Sequence, residues 1–201
     1  MKKELYISVD IEANGTHPPR YSMISLGAVA IERAPKHSAD YFEIVGTFEV
    51  NIEPLTSNTY GPTMEWWKKH PKAWEYTQKD QKTPREAMNA FHLWLLGLQS
   101  VNPGARFTFV GYPACYDFMW VNWYMNEFLG SSKPFNFAGL DIKTLNMLVL
   151  DCDYSRVSRS KSEKKIGFKS EVVHTHKALD DARGQADHFA HVLEHLKWDK
   201  E

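Results

Sequence analysis

Asp10 and Glu12, two positions apart in Ser8-Val9-Asp10-Ile11-Glu12, are the side chains from which a chemical reading begins. The run Tyr6-Ile7-Ser8-Val9 has the composition of a buried strand, and residues i and i+2 of a strand project from the same face. Two carboxylates there are forced together. At about 4 Å and an effective dielectric near 20 they repel by roughly 4 kcal/mol, which a core-facing strand tolerates only when protons or cations neutralise them. Three further residues complete a candidate constellation: Asp117 in Tyr116-Asp117-Phe118, and His176 with Asp181 in His176-Lys177-Ala178-Leu179-Asp180-Asp181. Carboxylates gathered around two divalent ions are the equipment for phosphodiester hydrolysis, one ion activating a water and the other stabilising the leaving oxygen. A histidine beside them, with an ordinary pKa of about 6.5, accepts the proton of the attacking water at neutral pH. An all-oxygen ligand set selects magnesium or manganese over zinc, and the sequence has no Cys-x-x-Cys to argue otherwise.

The elements that must position these groups are readable in outline. Strands are expected over Leu5 to Asp10, Met23 to Ile31 and Tyr41 to Ile52, three runs with short connections that make an antiparallel meander. Pro62 to His70 reads as a short helix carrying Trp66 and Trp67. Thr83-Pro84-Arg85-Glu86 is a helix start, with Thr83 as cap, Pro84 in the first turn and Glu86 closing a capping box. That helix runs to Leu98, and Ala87, Ala90, Phe91, Trp94, Leu95 and Leu98 mark the face it lays on a sheet. A strand over Arg106 to Val110 leads to a helix from Tyr116 to Leu129, whose first turn holds Asp117 where unpaired amides favour a carboxylate. Trp120, Trp123 and Tyr124 on it read as packing. A strand at Phe137 to Leu140, a helix from Asp141 to Leu150, a mobile polar loop from Asp153 to Ser170 and a last helix from Ala178 to Lys197 complete the chain. A meander followed by strand-helix alternation predicts an α/β fold with a mixed sheet flanked by helices, in one domain over 1–201.

Composition narrows the partners. The 201 residues carry a net charge of −1, so attraction to nucleic acid must come from a local patch rather than a global field. Between Arg156 and Lys169, Arg159, Lys161, Lys164 and Lys165 sit among six basic residues with Glu163 as the single acid, a local charge of +5. This segment is a candidate track for a phosphate backbone, with a solvated loop as the alternative. Trp66 and Trp67 are candidates to stack on an unpaired base, one of them being expected in the core. Tyr116 and Phe118 flank Asp117 closely enough to bracket a nucleotide, and Gly15 either lets backbone approach the terminal nucleotide or makes a turn. His188, His191 and His195 share a helix face and read as an exposed or dimer-facing stripe, while His174 is a candidate supporting group near the site, separated from His176 by Thr175 and with a direction that sequence leaves open. With Cys115 and Cys152 the only cysteines, no signal-like N-terminus and no apolar run approaching the ~18 residues of a membrane span, a cytoplasmic protein without a membrane partner is expected.

In order and setting, Asp10-x-Glu12, Asp117 and His176-x-x-x-x-Asp181 resemble the three motifs of the DEDDh 3′–5′ exonucleases, a group of the ribonuclease-H-like superfamily that includes oligoribonuclease, ribonuclease T and polymerase proofreading subunits. The resemblance covers nearly the whole chain. Thr63-Met64-Glu65-Trp66-Trp67 is further similar to the single-domain exoribonuclease branch. Ala13 stands where many members carry Thr, which bears on the contacts to the terminal nucleotide rather than on the metals. The resemblance implies that Asp10, Glu12 and Asp181 hold the metal carrying the nucleophilic water, that Asp10 also bridges to a second metal, and that Asp117 binds the second directly or through water. It implies His176 as general base, two Mg²⁺ or Mn²⁺ per site, and nucleoside 5′-monophosphates released from single-stranded RNA or DNA 3′ ends, RNA being favoured. The tyrosine variant of the family has Tyr at the position of Lys177, so the histidine subclass fits. The five-residue spacing from His176 selects Asp181 over Asp180. A homodimer is expected from relatives. The competing readings are a DNA-directed exonuclease, a polymerase-associated proofreading subunit and a non-catalytic nucleic-acid-binding domain on the same fold.

Overall fold

The computed structural model describes residues 3–34, 41–135, 137–172 and 174–197. Five strands, β1 (Glu4–Ala13), β2 (Met23–Arg33), β3 (Phe42–Asn51), β4 (Arg106–Gly111) and β5 (Gly139–Asp141), form one mixed sheet in the order β3-β2-β1-β4-β5. The first three are antiparallel neighbours, and β4 and β5 join parallel to β1. This is the expected meander followed by alternation. The helices are α1 (Gly61–Trp67), α2 (Pro71–Thr77), α3 (Pro84–Val101), α4 (Ala114–Leu129), α5 (Ile142–Leu150), α6 (Arg159–Ile166) and α7 (Ala178–His195).

Strand alternation on β1 separates the two cores. Leu5, Ile7, Val9 and Ile11 pack with Ala87 and Phe91 of α3 and Trp120 and Tyr124 of α4. Tyr6, on the opposite face, packs with Val29, Ile31 and Val110 beneath Ala182, Ala186, Phe189 and Leu193 of α7. Asp10 and Glu12 continue the Tyr6 face. They therefore lie under the start of α7. The capping box of α3 forms as read, with the Glu86 amide donating to Thr83 Oγ1 at 3.3 Å and the Thr83 amide donating to Glu86 Oε2 at 3.0 Å. Among the described residues no helix is long and apolar enough to cross a membrane.

Three expectations are corrected. The helix expected over Pro62 to His70 ends early, at Trp67, and Pro71 opens a second helix that was not expected. The Asp153 to Ser170 segment is not a loop: a single 3₁₀ turn at Tyr154–Arg156 is followed by α6, which Ser158 caps at its start and Gly167, with φ 74°, closes. Its anchors are polar. Ser162 is buried and donates to Asn146 Oδ1 at 2.9 Å, and Arg159 bonds both Glu163 and α7. Without an apolar period the helix left no hydrophobic trace in the sequence. Finally, His188 is fully buried rather than part of an exposed stripe, its Nε2 lying 2.9 Å from Asn146 Nδ2. Burial pushes its pKa down to about 3, with the Arg159 charge acting in the same direction, so it is a neutral core histidine although Glu163 lies 3.7 Å from its Nδ1. His191 stacks on Phe168 with ring centroids 3.6 Å apart, and His195 alone of the three is exposed.

Candidate active site

Asp10 and Glu12 reach the site from the C-terminal end of β1. Directly across the sheet from Asp10 is Gly27 of β2. A Cβ at Gly27 would stand 2.2 Å from the carbonyl carbon of Ala178 and from the Leu179 nitrogen, so only glycine admits the first turn of α7 to this face. That turn carries Asp181. The helix is tied down next to it by Ser8, whose hydroxyl donates to the Ala182 carbonyl at 3.0 Å, and by Gln185, whose Nε2 donates to Asp10 Oδ1 at 2.7 Å. Ligand oxygens of Asp10, Glu12 and Asp181 all lie within 4.8 Å of one another.

Asp117 arrives from the first turn of α4 and accepts the Ile11 amide at 3.2 Å, which fixes it against β1 between Asp10 and Glu12. Asp141 sets the start of α4, its Oδ1 accepting from the Ala114 amide at 2.9 Å while its Oδ2 caps α5 through Thr144. Asp181 Oδ1 accepts from the Thr175 amide at 3.2 Å and lies 2.7 Å from His174 Nδ1. Asp180 instead accepts the Thr175 hydroxyl at 2.7 Å, so the neighbouring acids divide as the spacing indicated.

The electrostatics follow from this crowding. Burial, reinforced by Asp117, Glu12 and Asp181, raises the Asp10 pKa well above the ordinary range, and burial with Asp181 and Asp117 raises that of Glu12. Burial carries Asp117 up to about 7 against the lowering effect of the Ile11 amide. Among the described residues no Lys or Arg makes an ion pair with any of the four acids. His174 beside Asp181 is the cluster's one ionisable nitrogen partner among the described ion pairs, and Asp181 raises its pKa. The cluster of Asp10, Glu12 and Asp181 offers carboxylate oxygens, the set that suits a hard divalent cation.

His176 stands beside this cluster in the left-handed backbone region, φ 59°. Its ring meets Trp66 edge-on at 4.7 Å and touches His70 and His174, each at 4.3 Å between centroids. Burial first, then the neighbouring His174 and His70, lowers its pKa, which keeps the imidazole neutral at neutral pH. Trp66 and Trp67 split as expected: Trp67 is 2% exposed and its indole donates to the Ala13 carbonyl at 3.0 Å, while Trp66 is half-buried beside His176. The Tyr116 hydroxyl donates to the Gly15 carbonyl at 3.3 Å, and burial plus the three nearby acids push its pKa up to about 12. Gly15 itself is required by Tyr21, whose ring carbon would lie 2.1 Å from an added Cβ.

Other candidates fall elsewhere. Phe118 packs edge-on against Phe109 in the core, with centroids 5.1 Å apart, and does not bracket the acids. Arg159 turns inward, its Nε donating to Glu163 at 2.8 Å and a terminal nitrogen to the Gly184 carbonyl at 2.7 Å. It lines a cavity of about 550 Å³ with Asp10, Asp181, Gln185 and Tyr112. Lys161 reaches the Arg156 carbonyl at 3.1 Å, and Lys164 and Lys165 are exposed on α6. Gln185, Gly27 and His70 were missed from sequence. Gln185 had a signal, four residues after Asp181 on the same helix face; the other two depend on contacts distant in the chain.

The model of the 3′–5′ exoribonuclease Rv2179c-like domain matches residues 5–193. The chain belongs to that family. It is 32% identical over 187 residues to the 3′–5′ DNA exonuclease Cap18 of Escherichia coli, covering 93% of this chain and 90% of the relative. Among solved structures it resembles the nuclease domain of 3′hExo, a DEDDh family member bound to rAMP, with a TM-score of 0.72 at 14% identity over 96% of this chain and 92% of that one. It also resembles S. pombe Pop2p in a Mg²⁺- and Mn²⁺-bound form, with a TM-score of 0.60 at 16% identity over 94% and 82%. The family member described here thus has the ribonuclease-H-like α/β fold and the DEDDh motif order.

Proposed function

We propose that this member of the family is a divalent-metal-dependent 3′–5′ exonuclease of single-stranded nucleic acid, with RNA as its main substrate. The observation that carries the reading is the meeting of Asp10, Glu12 and Asp181 oxygens within 4.8 Å, with Asp117 fixed beside them and, among the described residues, no Lys or Arg paired with them. Asp10, Glu12 and Asp181 fit one Mg²⁺ or Mn²⁺, and Asp10 with Asp117 fit a second. Such ions supply water activation and stabilisation of the charge that develops on the leaving oxygen. The chain's own residues do the rest. His176, neutral and held by Trp66 and His70, takes the proton of the attacking water on an imidazole nitrogen. The water oxygen bonds to phosphorus, the phosphorus–oxygen bond to the penultimate 3′-oxygen breaks, that oxygen takes up a proton from solvent, and a nucleoside 5′-monophosphate leaves. Tyr116 and Trp66 border the site where the terminal nucleotide lies, and exposed Lys164 and Lys165 offer phosphate contacts farther along the strand.

The exoribonuclease description of the family and the Trp66-Trp67 pair support RNA. The Cap18 relative, named a DNA exonuclease, supports a second reading with the same chemistry on DNA. Incubation with 3′- and 5′-labelled RNA and DNA oligomers, with magnesium, manganese or chelator, separates the two. Asp10→Asn and Asp181→Asn are expected to abolish hydrolysis while leaving the fold intact, and His176→Ala to lower kcat by about 10²- to 10⁴-fold. Full activity in folded Asp10→Asn would remove the metal reading, and faster degradation of DNA than RNA would install the second.

A further inference from the structure

Asp181 belongs to two candidate ligand sets. One is the all-oxygen set with Asp10 and Glu12; the other is His174, His176 and Asp181, whose ligand atoms likewise lie within 4.8 Å of one another. We propose that the second set is a separate position for zinc-class cations, and that filling it stops hydrolysis by tying up His176. The inference rests on the role given to His176 above.

Donor chemistry separates the two positions. Magnesium takes oxygen ligands in near-octahedral array and keeps several waters, whereas zinc prefers imidazole nitrogen with a carboxylate in tetrahedral array. Two imidazoles and one carboxylate, with a fourth place for water, make an ordinary zinc set. A tetrahedral ion with bonds of about 2.1 Å holds its ligands roughly 3.4 Å apart, so donors that all lie within 4.8 Å need only modest adjustment, the hydrogen-bonded His174–Asp181 pair opening slightly to admit the ion. His174 Nδ1 is already 2.7 Å from Asp181 Oδ1, its side chain is 63% exposed, and its ring lies 4.3 Å from that of His176. The ring of His176 is held within reach by His70 and Trp66. A coordinated imidazole nitrogen has its lone pair engaged and accepts no proton. Because Asp181 is shared, zinc also draws one ligand away from the oxygen set. Occupancy is thus expected to act on hydrolysis through both residues, although magnesium has little affinity for the nitrogen position.

Cobalt(II) is the probe, since a four-coordinate nitrogen-containing site gives it intense visible bands that an octahedral oxygen site lacks. Metal-free full-length protein titrated with Co²⁺ is expected to show such bands, to lose them on adding Zn²⁺, and to keep them in excess Mg²⁺. His174→Ala, His174→Asn and His176→Asn are expected to weaken cobalt binding by about 10²-fold, with circular dichroism confirming the fold. Glu12→Gln is expected to keep the bands while losing magnesium-supported hydrolysis. Unchanged bands in both His174 variants, or their loss in Glu12→Gln, would overturn the site. Zinc that fills it without slowing hydrolysis would overturn its inhibitory role. If the wild-type bands appear but no oligomer is degraded under any metal, the proposed function fails and the metal position stands.

Discussion

Replacing Gly27 by alanine tests the link between sheet packing and the assembled acids. The added Cβ would meet the backbone of Ala178 and Leu179 at 2.2 Å, and backbone cannot turn aside as a side chain can. Restoring the 3.4–4 Å of ordinary contact requires α7 to retreat by about 1.2 to 1.8 Å at its first turn. Asp181 lies in that turn and moves with it, away from Asp10 and Glu12. A displacement of about 1 Å in a catalytic group lowers rate by roughly 10²-fold, and overpacking of this kind destabilises by about 1 to 3 kcal/mol, some 2 to 12 °C in melting temperature for a chain of this size. Single-turnover kinetics on a labelled oligomer and a thermal melt measure the two effects. Gly97→Ala is the matched control, since nothing lies within 4 Å of its added Cβ on exposed α3. Removing a mid-helix glycine there should stabilise by about 1 kcal/mol and leave rate unchanged. Equal behaviour of the two variants, with full activity in Gly27→Ala, would show that the approach of α7 at Gly27 does not place Asp181.

Magnesium should raise the melting temperature of the metal-free protein, by about 5 to 11 °C at a hundred times its dissociation constant. The increment should grow with pH: the raised folded-state pKa values of Asp10, Glu12 and Asp117, the last about 7, mean that proton-linked stability is present below about 4 and lost as pH rises through them. A magnesium shift equal at pH 5 and pH 8 would contradict this. Gln185→Leu removes the amide that orients Asp10 and should weaken magnesium binding by about 10- to 100-fold, measured by calorimetry. Trp66→Ala removes the edge contact to His176, a pair worth about 0.5 to 1.5 kcal/mol, so kcat should fall by about 2- to 10-fold. A rise in KM alone would instead assign Trp66 to base stacking.

What the sequence disclosed and what it concealed divide along a physical line. Strand alternation on β1, the apolar period of α3 and the capping box at Thr83 act between residues close along the chain, and each is found where it was read. Asp10, Glu12, Asp117 and Asp181 stand out in the sequence because they are polar groups on elements that otherwise demand burial, and His176 by its spacing from Asp181. The failures involve polar groups satisfied by distant partners. Helix α6 docks through Arg159 to Gly184 and Ser162 to Asn146, and His188 is made an interior residue by the same Asn146. Gly27 looks like any strand glycine until α7 is laid across it. Phe118 sits one residue from Asp117 yet turns the other way, because successive helical positions face about 100° apart.

The acids are held together by side-chain and backbone donors other than Lys or Arg. Three have a neutral amide donor, the Gln185 amide on Asp10, the Ile11 amide on Asp117 and the Thr175 amide on Asp181, which also has His174 Nδ1 at 2.7 Å. Such bonds set direction while leaving the formal charges in place. Arg159 lines the cavity beside Asp10 and Asp181 and could have neutralised them. It is instead directed to Glu163 and to the Gly184 carbonyl, where a Cβ would crowd it at 3.2 Å. Glu163 and Gly184 therefore keep the nearby guanidinium from pairing with the acids, and the repulsion among the carboxylates is left for protons or cations to relieve.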